Sequence, residues 1–107
     1  MKNRVQLIGN VGNDPIIKSL EGGRKVANLN IATKDSYKND KGERVDQTEW
    51  HPLVAWGKTA EIIEKYVTKG KQIAIDGKLT HRSYDDKNGE KRYITEVLVS
   101  EIMLLGK

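Results

Sequence analysis

Residues 48–79 read TEWHPLVAWGKTAEIIEKYVTKGKQIAIDGKL, and three periodicities succeed one another within them. From Thr48 to Trp56 the residues are largely of the Trp, Val and Thr kind that suit a pleated, half-buried strand. Pro52 has no N–H to give a ladder, so this strand is expected at an edge or a bulge rather than mid-sheet. From Lys58 to Lys69 the period becomes helical. Ile63 and Val67 stand at i and i+4 with Ala60, Ile62 and Tyr66 beside them as packing residues, while Glu61, Glu64 and Lys65 are left for solvent. Gly70 supplies a left-handed stop, and Lys69 in the last turn suits the helix dipole. From Gln72 to Ser83 alternation returns, with Ile73, Ile75, Gly77 and Leu79 on one parity.

Working outward toward the N-terminus, Lys34 to Asp46 is polar around Asn39-Asp40-Lys41-Gly42. It reads as a long mobile loop or an extended hairpin tip, and it carries Tyr37. Val26 to Thr33 alternates, with Ala27, Leu29 and Ile31 on one face. Glu21-Gly22-Gly23 marks a turn. Arg4 to Ile8 is a strand whose Val5 and Leu7 share a face; Gly9 and Gly12 allow a sharp bend, and Ile16-Ile17 resume beyond Asp14-Pro15. Toward the C-terminus, Asn88-Gly89 favours a tight hairpin before a last strand from Tyr93 to Leu104. Three strands, one short helix and two long hairpin strands describe a single domain over residues 1–107. The expected fold is all-β, a five-stranded Greek-key barrel of the OB type with the helix between its third and fourth strands.

Composition narrows the chemistry. The 107 residues include 19 Lys and Arg against 15 Asp and Glu, a net charge of +4 that fits a polyanionic partner. Cysteine is absent, which excludes disulfides, thiolate nucleophiles and Cys-ligated zinc; His51 and His81 are the only histidines. No metal site, cofactor or catalytic motif is expected. The adjacent Asp85 and Asp86 read as a solvated turn rather than a carboxylate dyad. No apolar run approaches the roughly 20 residues a membrane span needs, and no leader pattern opens the chain, so a cytoplasmic protein is expected.

Phenylalanine is also absent, and the aromatics are Tyr37, Trp50, Trp56, Tyr66, Tyr84 and Tyr93. The core therefore falls to Ile, Leu and Val, and the rings are available for something else. Trp50 and Trp56 share parity on one strand, roughly 20 Å apart. Tyr37 adjoins Lys38, Trp56 lies near Lys58, and Tyr84 near Arg82. Rings that stack on bases, beside cations that track phosphates, suit single-stranded nucleic acid. From the residues alone, a place in the core or at a subunit interface stays open for each tryptophan. The modest hydrophobic content of 36% makes self-association reasonable.

The segments LIGNVGNDP, ANLNIAT, QTEWHPLVAWGK, YVTKGKQIAIDGKL and RYITEV, in this order, resemble the bacterial single-stranded DNA-binding protein family from about Lys2 to Leu105. The resemblance implies an OB-fold, usually a homotetramer (a dimer of dimers), that wraps single-stranded DNA in replication, recombination and repair. It implies base stacking on Tyr37, Trp50, Trp56 and Tyr84 and phosphate contacts from Arg4, Lys58, Lys69, Arg82 and Arg92. It also implies a subunit interface around Asn3, Val5, Leu7 and His51. Pro52, Thr80 and Ser83 stand where the family often has Arg or Lys, which implies fewer phosphate contacts. The family's flexible tail and acidic tip do not follow within these residues, so tail-mediated protein partners are not expected of this chain. Alternatives are a primosome-type accessory protein acting through protein partners, an RNA-binding barrel, and an OB-fold nuclease. The absence of clustered Phe counts against the RNA-binding barrel.

Overall fold

The computed structural model describes residues 2–106. Its elements are β1 (Val5–Val11), β2 (Ile16–Ser19), a single 3-10 turn (Glu21–Gly23), β3 (Lys25–Lys38), β4 (Arg44–Trp56), α1 (Gly57–Tyr66), β5 (Gln72–Asp85) and β6 (Lys91–Leu104). The strand order is β1-β5-β6-β4-β3-β2, and a further β1–β3 pairing closes the sheet. β1 runs antiparallel to β5 from Val5 to Asn10, then passes to β3 at Asn10 and Val11. β2 continues along β3 through Ile16–Ser19. The two short strands are thus one strand bent around the Gly12–Pro15 corner, and the six segments form the expected five-stranded barrel. A Cβ on Gly9 would run into the Ala32 carbonyl, so the missing side chain lets β1 come close enough to β3 to change partners.

The other end of the barrel closes where β4 lies parallel to β6, in register only at Leu53–Val97 and Val54–Leu98. This short seam accounts for Pro52. Opposite it, Asn30 sends its carbonyl to the Gly12 N–H and its N–H to the Asn13 side chain, so the Asn30–Pro52 pair needs no donor from Pro52. On its other side Pro52 precedes the first residue paired with β6. β4 is central by strand order but an edge at the proline.

Two boundaries differ from expectation. The polar segment is the extended-hairpin alternative: β3 and β4 stay paired from Val26–Trp56 out to Lys38–Arg44, and only residues 39–43 turn. The helix ends at Tyr66, short of the expected Lys69. Its last bond runs from the Val67 N–H to the Ile63 carbonyl, after which the backbone turns to the β1–β2 corner. There the Lys69 N–H donates to Asp14, and the Gly70 N–H to the Val11 carbonyl. Those bonds replace a last helical turn, so Lys65, not Lys69, is the basic residue at the helix C-terminus.

The core is aliphatic: Val11, Ala27, Leu29, Ile31, Leu53, Ala55, Ala60, Ile63, Val67, Ile73, Ile75, Val97 and Val99 form one buried cluster. All six aromatics lie at the surface, with exposures from 39% for Trp56 to 77% for Tyr93. Tyr66 was expected to pack. Ala60, Ile63 and Val67 take the buried stripe instead, and at 3.6 residues per turn Tyr66 sits about a quarter-turn away from it. No helix among the described residues is long and apolar enough to cross a membrane.

Candidate nucleic-acid interface

The unbroken β3–β4 register fixes which side chains share a face. Leu29 and Leu53, Ile31 and His51, and Ala27 and Ala55 pair on the inner side. On the outer side Val26 faces Trp56, Asn28 faces Val54, Asn30 faces Pro52, and Ala32 faces Trp50. Across the seam, the outer residues of β5 and β6 continue this surface. A concavity of about 440 Å³ is lined by Val26, Asn28, Val54, Trp56, Thr80, Arg82, Glu96 and Leu98. A smaller one of about 150 Å³ adjoins it and shares Asn28, Arg82 and Glu96. Together they make one groove with Trp56 at one end. Trp50, six residues back along β4 and so roughly 20 Å away, flanks the other.

The tryptophans are held differently. The Trp50 indole crosses to the β1–β2 corner and lies against Gly12. Trp56, the last residue of β4, carries the Arg24 guanidinium 4.9 Å from its ring centroid, a cation–π contact. Arg82 lies 5.9 Å over the Tyr84 ring on β5. Tyr84 shares the outer parity of Arg82 and Thr80, so Trp50, Trp56 and Tyr84 border one continuous face. Tyr37 is not on it. Opposite Val45, it has the parity of the inner residues and projects from the other face of the hairpin.

Most arginines here are already paired. Arg82 Nε donates to Glu96 Oε1 at 2.7 Å, and Glu96 is buried in the groove floor. Arg92 Nε donates to Asp86 at 2.8 Å. Hydrogen bonds from Arg92 and from the Glu90 and Asn88 amides hold the Asp86 carboxyl below its usual range. Arg4 grips Asp76 through both Nε and Nη2, which likewise depresses that carboxyl. Arg4 lines a separate depression with Ile8, Glu101 and Met103 that contains none of the groove aromatics. Lys58, at the start of α1 beside Trp56, and Lys69, in the loop after it, form no ion pair among the described residues.

Of the interface residues expected from the sequence, Asn3 bonds both backbone groups of Leu79, and Val5 and Leu7 pack against the core. What β1 offers outward includes its backbone edge and the side chains of Gln6 and Ile8. His51 Nε2 lies 2.8 Å from Thr33 Oγ1 on the inner side of the hairpin.

Sequence reading missed Arg24, Gly12 and Glu96. Arg24 was legible only through the hairpin register, which sets Val26 opposite Trp56. Glu96 stood at a position that strand alternation makes outward-facing, and its burial comes from the barrel seam.

The topology and groove define an OB-fold barrel with one aromatic, cation-bordered face. Residues 2–105 match the model of the Single-strand binding protein family. The chain is 44% identical over 105 residues to Single-stranded DNA-binding protein 1 of Chlorobaculum tepidum, covering 97% of this chain and 65% of that protein. It is 42% identical to Single-stranded DNA-binding protein 1 of Xylella fastidiosa, covering 98% of this chain and 78% of that one. It thus spans about two thirds of the first relative's length. Among solved structures, the Plasmodium falciparum SSB in complex with ssDNA superposes with a TM-score of 0.91 at 32% identity, covering 99% and 97% of the two chains. A deletion mutant of the Thermus aquaticus single-stranded DNA binding protein gives 0.84 at 29% identity, covering 97% of this chain and 50% of that one. The chain belongs to the single-strand binding protein family.

Proposed function

We propose that this chain binds single-stranded DNA, with little sequence preference and without catalysis, on the outer face of β3, β4 and β5. The observation that carries this reading is the division of labour among side chains. The core contains no aromatic residue, while Trp50 and Trp56 flank one groove with Tyr84 on the same face. Bases stack on these rings, and Lys58, Lys69 and Arg24 supply charge for phosphates. Arg82, Arg92 and Arg4, being ion-paired, contribute less. Tyr37, on the far face of the hairpin, meets DNA only where the strand passes around that hairpin. The protein serves replication, recombination and repair in the cytoplasm, as a homotetramer built on the β1 edge.

The test is tryptophan fluorescence during titration with poly-dT, repeated at several salt concentrations and with duplex DNA. Saturable quenching on single strands and weak quenching on duplex is the expected outcome. Trp50→Ala or Trp56→Ala should weaken binding more than about fivefold, since a stacked base contributes about 1–3 kcal/mol. Absence of both quenching and single-strand preference would overturn the reading.

A further inference from the structure

Gly12 is not a glycine for the sake of its backbone. Its φ lies outside the positive region occupied by Gly22, Gly23, Gly42, Gly57, Gly70, Gly89 and Gly106. Any residue could adopt its conformation, so what the position demands is space. A Cβ built there would sit 2.7 Å from Trp50 Cη2 and 3.2 Å from Cε3, and would overlap Cζ3. All three atoms belong to the six-membered ring of the indole.

We infer that Gly12 is a positioning residue for Trp50: its missing side chain is the seat on which one side of the indole rests, so that the other is presented to a base. The backbone cannot easily retreat to admit a methyl group. The Gly12 N–H donates to the Asn30 carbonyl at 2.9 Å, and the next residue's side chain accepts the Asn30 N–H at 3.0 Å. These two hydrogen bonds clamp the corner to both backbone groups of Asn30 on β3, which is itself paired with β4 at Asn30–Pro52 and Ala32–Trp50. The indole is the part free to move, because 59% of Trp50 is exposed. A side chain at position 12 therefore lifts the ring from its seat and spoils the geometry that stacking requires.

The inference rests on the stacking role proposed for Trp50, and the experiment separates the two. Binding of a labelled dT oligomer is followed by anisotropy for wild type, Gly12→Ala, Trp50→Ala and the double variant. Gly12→Ala is expected to weaken binding severalfold in the wild-type background and by less than about 1.5-fold once Trp50 is gone. Equal factors in both backgrounds would make Gly12 a general structural residue and overturn the inference. An unchanged affinity in Trp50→Ala would instead remove the stacking role. The seat is then read directly in the free protein, with Trp56→Phe leaving Trp50 as the only indole. Gly12→Ala should raise acrylamide quenching of Trp50, and an unchanged quenching constant would overturn the inference. Should Gly12→Ala fold poorly, Trp50→Phe provides the control, because its smaller ring lacks the atoms that collide. Gly12→Ala must then cost less thermal stability with Phe at position 50 than with Trp, and equal costs would refute the steric link.

Discussion

Among the described residues Glu96 is the one charged side chain that the fold buries, at 6% exposure, and Arg82 is its partner at 2.7 Å. A carboxylate in the floor of a groove proposed to take a phosphate backbone is counter-productive unless neutralised, so the pair is better read as structural than as a phosphate contact. The guanidinium is half exposed, which limits what the ion pair itself contributes. Removing it is more costly than the pair is worth, because the carboxylate is left buried and unmatched. Arg82→Ala is expected to lower stability by about 1–3 kcal/mol, and Arg82→Ala with Glu96→Gln to recover most of the loss. Urea melts of the three proteins read this; an unchanged midpoint in Arg82→Ala would mean that water already solvates Glu96. In DNA binding, Lys58→Ala should lower the salt slope by about 0.7, one phosphate, and Arg82→Ala by distinctly less.

At the scale of elements, the β5–β6 hairpin shows how a turn is fastened by one carboxylate. Asp86 Oδ1 accepts from the Asn88 and Glu90 amides, both at 2.9 Å, while Oδ2 accepts from Arg92. These bonds favour the ionised form, so Asp86 holds its proton less readily folded than unfolded. Its contribution is whole above the ordinary carboxylate value of 3.8 and is lost as the pH falls through the lower folded-state value. Asp86→Asn should therefore be less stable than wild type at neutral pH, with the gap closing below 3.8. Thermal melts across pH 2–7 decide it, and parallel curves would rule out the carboxylate as the source. The elements were legible in the sequence wherever burial differs between faces. Beyond Thr33 both faces of β3 are exposed, so no apolar period marked the strand, although it runs on to Lys38. The same blindness hid the face of Tyr37. The end of α1 was misread because the bonds that stop it come from Val11 and Asp14, far away in sequence. The site was half legible: strand parity put Trp50 and Trp56 together, but Arg24, Gly12 and Glu96 depend on long-range contacts that local patterns do not carry.

For the whole molecule, the barrel leaves part of the β1 edge open. β1 pairs with β5 along its length but with β3 only at Asn10 and Val11, so from Val5 to Gly9 its other edge has no backbone partner among the described residues. An unpaired edge of that length is a template for a second copy, and natural proteins usually cover or charge such edges. Next to it the outward residues of β1 and β6 include Ile8 and Met103, exposed at 61% and 63%. With Arg4, Asp76 and Glu101 they border a depression of about 490 Å³. The homotetramer proposed above would need two contacts of different character: strand addition along β1 to make a dimer, and packing of this partly apolar face to join dimers. A stable interface buries about 800 Å² per partner, which the edge of five residues does not supply alone. The face must therefore contribute if a tetramer is to persist at low concentration. Ile8→Glu places a charge on the face while leaving the ladder intact, so it should convert tetramers to dimers, not monomers, when followed by light scattering at micromolar protein. A tetramer that survives Ile8→Glu would exclude this face as the second contact, and a wild-type monomer under the same conditions would exclude the β1 edge as the first.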